Sequence, residues 1–241
     1  MAVLPSQLDH SEPQLKRRRY YTPAEVALHN SPRDCWVSFL GGVYDVTDLI
    51  QAEDTPAAQP IIDAAGTDVS HWFDAETGDV RMHVDVLTNL NQPYCPQGRF
   101  THVAPAAPAA DWDTSFGRPW WQDPGRWRIG ALTSRTRVVR IKNVLTEQED
   151  RMEVPQEETL EEVQNRYQEL NAHTQSYIWK ALRTDPYRDD LKADFAELDM
   201  SHTLAENGVL DESADFEEVG LQSECYIPVL HVYWTDDLTV A

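Results

Sequence analysis

"CWVSFLGGVYDVTDLI", Cys35–Ile50, decides the reading of the first half of the chain. Two apolar, aromatic-rich runs flank Gly41-Gly42, and glycines supply the positive φ that a two-residue hairpin turn needs. A β-hairpin is expected here. Asp45 and Thr47 can cap a helix starting near Asp48, with Leu49 and Ile50 turned inward. Upstream, "YYTPAEVALHN" (Tyr20–Asn30) sets Thr22 before Pro23, an N-cap followed by proline at the first helical position, and Val26 and His29 follow at helical spacing. Downstream, "PIIDAAG" (Pro60–Gly66) gives an apolar helical turn ending at Gly66, and "DVSHWFD" (Asp68–Asp74) brings Trp72 and Phe73.

A chain of 241 residues allows one large or two modest domains. Its net charge is −21, uneven along the chain: 10 basic against 17 acidic residues in 1–130, and 10 against 24 in 131–241. Such a surface repels nucleic-acid phosphate, anionic lipid and the acidic face of tubulin. Neither nucleic acid nor membrane is therefore expected as a partner. Lys16-Arg17-Arg18-Arg19 is the local basic exception, read as a solvated arm or a docking site for an acidic partner. The N-terminus lacks an apolar core after a basic start, so no secretion signal is read and a cytoplasmic location is expected. Cys35, Cys95 and Cys225 form no CxxC pair and are expected as free thiols, with no zinc site.

The first unit resembles the cytochrome b5 heme-binding domain through Tyr21-Thr22, Glu25, His29-Asn30, Trp36-Val37, Gly42-Val43-Tyr44-Asp45-Val46-Thr47, Ala65-Gly66, Asp68 and Phe73, over roughly residues 19–85. The resemblance implies heme held between two axial histidines. Counted from Val43, the first belongs at Glu53, inside Ala52-Glu53-Asp54-Thr55-Pro56, and the second near Gly78; neither is histidine. A longer loop in "DAETGDVRMHVD" would bring His83 to the second position, and His71, beside Trp72, is the other candidate iron ligand. Met82 is a conceivable further donor. With one histidine the iron would sense a ligand or redox state, so ordinary electron transfer is not expected.

Residues 86–133 read as a Pro/Ala-rich connector carrying Trp112, Phe116, Trp120, Trp121 and Trp127. So many aromatics must pack on something. Either they cement the two domains, or Trp120, Trp121 and Trp127 insert into a partner's groove; an extended backbone would send Trp120 and Trp121 to opposite faces. From Ser134, "TRVVRIKNVLTEQEDRMEVP" is read as a hairpin and "ETLEEVQNRYQEL" as a helix with a Thr159/Glu162 capping box and a Leu160, Val163, Tyr167, Leu170 stripe. "SYIWKA" and "YIPVLHVYW" complete a ββαβ–turn–β order expected for a ubiquitin-like β-grasp. The α+β chain thus divides into an arm (1–18), a degenerate b5-like domain (19–85), the connector (86–133) and the β-grasp (134–241).

This combination, with "HWFDAETGDVRMHVD", "HTLAENGVLDE" and "TDDLTV", resembles a family of cytochrome b5 domain-containing proteins of motile cilia and flagella. The resemblance implies a non-catalytic axonemal subunit at or near the base of a radial spoke, with axonemal proteins as partners and no small-molecule substrate. The competing expectation on the same scaffold is a heme-binding redox or gas sensor.

Overall fold

In the computed structural model, which describes residues 19–52, 56–107, 109, 112, 114–183, 194–222 and 225–235, the Cys35–Ile50 stretch forms a hairpin and a helix. β3 (Asp34–Phe39) and β4 (Gly42–Asp45) pair antiparallel, Phe39 opposite Gly42. The turn sits one residue earlier than expected. Leu40 and Gly41 take the positive φ values, +46° and +76°, and Gly42 is already in the strand. Asp45 Oδ1 accepts from the Thr47 backbone N–H at 3.0 Å at the start of α2 (Thr47–Ala52), which buries Leu49 and Ile50.

The remaining residues behind the resemblance hold this frame together. Before it come β1 (Tyr20–Tyr21), α1 (Pro23–Leu28), whose capping box joins Thr22 to Glu25, and β2 (Asn30–Ser31). His29 stacks on Trp36 with ring centroids 3.4 Å apart, and its Nδ1 meets Asp34 at 2.7 Å. After α3 (Gln59–Asp63), Gly66 sits at φ +78° with its N–H 2.7 Å from the Trp36 carbonyl. A Cβ there would lie 3.2 Å from the Ala27 backbone, so the close approach requires glycine. Asp68 accepts from the Ser38 hydroxyl at 2.9 Å and from the Ser70 N–H at 3.0 Å.

The connector reading is corrected by the sheet. A small hairpin of β5 (Met82–Val84) and β6 (Asn91–Pro93) leads to a 3-10 turn at Trp120–Gln122, then to α4 (Pro124–Trp127) and β7 (Arg128–Leu132). β7 lies inside the first sheet, in the order β1-β7-β4-β3-β2, parallel to β1 and antiparallel to β4. The first unit therefore runs to Leu132, not to residue 85. Trp120, Trp121 and Trp127 are 0%, 7% and 6% exposed, in one core with Phe39, Phe73 and Phe100. The expected opposite orientation of Trp120 and Trp121 fails because the backbone there is a turn rather than a strand. Both rings enter the same interior, perpendicular at 5.8 Å between centroids. Their burial removes all three tryptophans as docking residues.

The second unit has its own core. β8 (Thr136–Asn143) and β9 (Glu149–Pro155) form the hairpin, α5 (Leu160–Tyr167) follows with its Thr159/Glu162 capping box, and β10 (Tyr177–Arg183) and β11 (Asp194–Glu197) precede α6 (Ser213–Glu218) and β12 (Val229–Trp234). The sheet order is β11-β10-β12-β8-β9, with β12 parallel to β8 at its centre. Leu160, Val163 and Tyr167 are buried as expected, whereas Leu170 lies past the helix end and is 56% exposed.

Among the described residues, hydrogen bonds and ion pairs at two places join the units. Glu157 accepts from the hydroxyls of Thr133 and Ser134, each at 2.5 Å, gripping the junction. Arg166, on α5, pairs with buried Glu158 at 2.6 and 2.7 Å, donates to the Tyr20 carbonyl at 2.9 Å, and forms an ion pair with Glu25 of α1. The arm with Lys16-Arg17-Arg18, Glu53 and the terminal "DDLTV" lie outside the described residues.

Candidate functional site

Strand alternation in β5 settles where the candidate histidine faces. His83 and its cross-strand neighbour Gln92 line a cavity of about 340 Å³, while Met82 and Val84 are 52% and 58% exposed and do not line it. Tyr94, Cys95, Arg99 and Val103 form other walls. His83 Nδ1 is buried and makes no hydrogen bond, and its ring stands edge-on to Tyr94 at 5.3 Å. An imidazole nitrogen buried without a hydrogen bond is an unsatisfied polar atom that calls for a partner. Arg99 donates to the Val103 carbonyl at 3.3 Å and its guanidinium lies 5.5 Å from the Trp112 ring centre. Burial pushes the Cys95 thiol up. The more deeply buried Cys35 thiol is pushed up to about 12 by desolvation, helped by Asp45 and Asp34. Neither favours the thiolate that metal binding requires.

His71 is elsewhere. It is exposed on the 3-10 turn Ser70–Trp72, edge-on to Trp72 at 6.0 Å, and it does not line the His83 cavity. Gly78, the position counted for the second axial ligand, is a turn residue at φ +69°. The space over the first sheet is filled by the chain's own rings: Trp120 packs on Phe39 at 5.4 Å, Phe73 at 5.9 Å and Tyr44 at 6.1 Å, and Trp121 on Phe100 at 5.7 Å. Trp121 Nε1 is anchored on Asp79 at 2.8 Å. Among the described residues, no group of three or more His, Cys, Asp or Glu side chains converges on a metal position.

The described residues do not fit heme clasped between His71 and His83. One-sided attachment at His83 is the nearer fit, because its side chain lines a cavity with apolar walls and, in Arg99, a cation for a carboxylate, although its Nδ1 is itself buried. In the sequence, His83 stands out only through its offset from the expected register. Arg99 and the cavity are not legible there, because the segment bearing every wall but His83 reads locally as a connector.

Residues 22–95 match the family described as cytochrome b5-like heme/steroid binding domain, which makes heme a possible ligand of this chain. Over 224 residues, the chain is 47% identical to cytochrome b5 domain-containing protein 1 of Xenopus laevis, across 92% of this chain and 97% of that one. It is 43% identical to the human protein of the same name, across 92% of each. Among solved structures, cytochrome b558 of Ectothiorhodospira vacuolata, a prokaryotic homologue of cytochrome b5, shares 29% identity over 27% of this chain and 79% of its own, with a TM-score of 0.22.

Proposed function

Because this chain belongs to the family of cytochrome b5 domain-containing protein 1, shared over nearly the whole length of both, we propose that it works as a binding subunit and not as an electron carrier. Its setting is the axoneme of motile cilia and flagella, at or near the base of a radial spoke, as the sequence resemblance implies. The observation that carries the reading is the interior of the first unit. The b5-like frame is intact, yet its core is closed by Trp120, Trp121 and Trp127 from the same chain. A frame closed in this way offers partners its outer surface. The order β9-β8-β12-β10-β11 with parallel central strands supports reading the second unit as a ubiquitin-like β-grasp, a scaffold suited to binding. Arg166 ties the two units, so that they dock as one body.

A tagged full-length chain is expected to stay with axonemes after detergent removes membrane and matrix, and to be released by high salt. Its retention should fall in axonemes lacking radial spokes. Complete release by detergent would overturn the axonemal reading, and equal retention without spokes would overturn the spoke location.

A second reading rests on the unbonded Nδ1 of His83. Heme held at His83 would supply a redox-active iron. The chain's part is to present the imidazole, to exclude water with Val103, and to pair a carboxylate with Arg99. Titrating hemin into apoprotein should then give a Soret band that His83→Ala abolishes and His71→Ala leaves in place. No band with the wild-type chain, or the reverse ranking, would remove this reading.

A further inference from the structure

The β5–β6 hairpin carries an apolar concentration that neither unit absorbs. Val86 and Leu87 at its tip are 95% and 94% exposed, Leu90 is 60% exposed, and Met82 and Val84 on the outward face exceed half. Among the described residues, the two strands pair only with each other. Exposed apolar residues gathered on one projection mark an interaction surface, whereas scattered ones carry no meaning.

The tip is built. Asp85 Oδ1 accepts from the Leu87 N–H at 2.9 Å, the Thr88 N–H at 2.8 Å and the Thr88 hydroxyl at 2.9 Å, while its Oδ2 accepts from Gln92 at 3.1 Å. Asp85 also exchanges backbone bonds with Leu90 and Asn89 at 2.9 and 2.8 Å. At the root, Arg81 N–H donates to the Trp72 carbonyl at 3.0 Å and Tyr94 N–H to the Arg81 carbonyl at 2.7 Å, fastening the hairpin to the core. An ordered tip lowers the entropy lost on docking.

Charge selects the occupant. Asp74, Glu76 and Asp79 lie in the turn just before the hairpin, closed by the bond from the Asp74 N–H to the Asp79 carbonyl at 2.8 Å, and the chain as a whole carries −21. A second copy brings the same charge and is repelled, as is an anionic lipid surface. We propose that the hairpin is a docking finger whose Val86-Leu87 tip enters an apolar groove, rimmed by lysine or arginine, on a neighbouring axonemal protein. The axonemal setting rests on the function proposed above; the finger's geometry does not.

The test adds purified full-length chain, wild type and the V86S/L87S double variant, to salt-stripped axonemes and measures bound against free protein by sedimentation. Both side chains are exposed, so the melting curve should not move. The variant is expected to bind about tenfold or more weakly, and wild-type binding should weaken between about 50 and 300 mM salt. Equal binding by both proteins overturns the finger alone, and salt-independent binding overturns its basic partner. Failure of the wild type to bind defeats the axonemal reading and the finger with it. Self-association in light scattering that the variant loses would assign the tip to a second copy. Wild-type binding to phosphatidylserine vesicles, lost in the variant, would assign it to a membrane; either result overturns the proposal.

Discussion

A fragment ending at residue 85 is expected to remain unfolded, while one spanning residues 19–133 melts cooperatively. The shorter fragment loses β7, the strand that lies between β1 and β4. It also loses Phe100, Val103, Trp120, Trp121 and Trp127 from the first core, each 7% exposed or less. Burying an apolar side chain of this size contributes about 1.5–3 kcal/mol. Five of them together match the roughly 5–15 kcal/mol by which a whole domain is stable. The rings left behind, Phe39, Tyr44 and Phe73, would face water where Trp120 now covers them. Urea titration followed by tryptophan fluorescence and circular dichroism separates the outcomes. A sharp unfolding transition from the shorter fragment would show that residues 100–132 only decorate a complete b5-like domain.

Why the sequence misplaces that boundary is a matter of where the information resides. The β3–β4 hairpin, the Thr22 and Thr159 capping boxes and the Gly66 close approach are settled within a few residues, and all are legible. β7 is not. "RIGAL" has no clear alternation, and its partners Tyr20 and Val43 lie far back along the chain. Tryptophan spacing in "PWWQDPGRW" likewise says that something is buried without saying in what. Even the turn at Leu40-Gly41 departs from local expectation, because the register of Phe39 opposite Gly42 pushes positive φ onto leucine. At the site, His83 was legible as a histidine near the expected register. Its cavity was not, because the second wall comes from residues 94–106. Arg166 reads as one more helix cation, and its partners Tyr20 and Glu25 belong to the other unit.

That arginine carries the second large effect: Arg166→Met is expected to cost about 3–5 kcal/mol at neutral pH, because it leaves a buried carboxylate without its cation. Glu158 is 2% exposed and Arg166 6%, and the two share paired bonds of 2.6 and 2.7 Å. Burial raises the Glu158 carboxyl above its ordinary value, and the Arg166 bonds and charge pull it only part of the way back. Removing Arg166 leaves the raising influence unopposed. A carboxyl raised on folding contributes stability that is complete below its unfolded pKa, about 4.3, and is lost as pH climbs through the folded value. The deficit of the variant is therefore largest near pH 7 and shrinks toward pH 5, as Glu158 takes up a proton. Partly buried Glu25 keeps its capping bond to the Thr22 N–H, so α1 survives the loss. Pairing Arg166→Met with Glu158→Leu removes both charges, and most of the stability should return. The joint to Tyr20 and Glu25 stays broken in that double variant, which should unfold in two steps where the wild type unfolds in one. Urea titrations of the three proteins at the two pH values decide it. A loss below about 1 kcal/mol, or an equal loss at both pH values, would mean that Glu158 is solvated and that other contacts hold the units together.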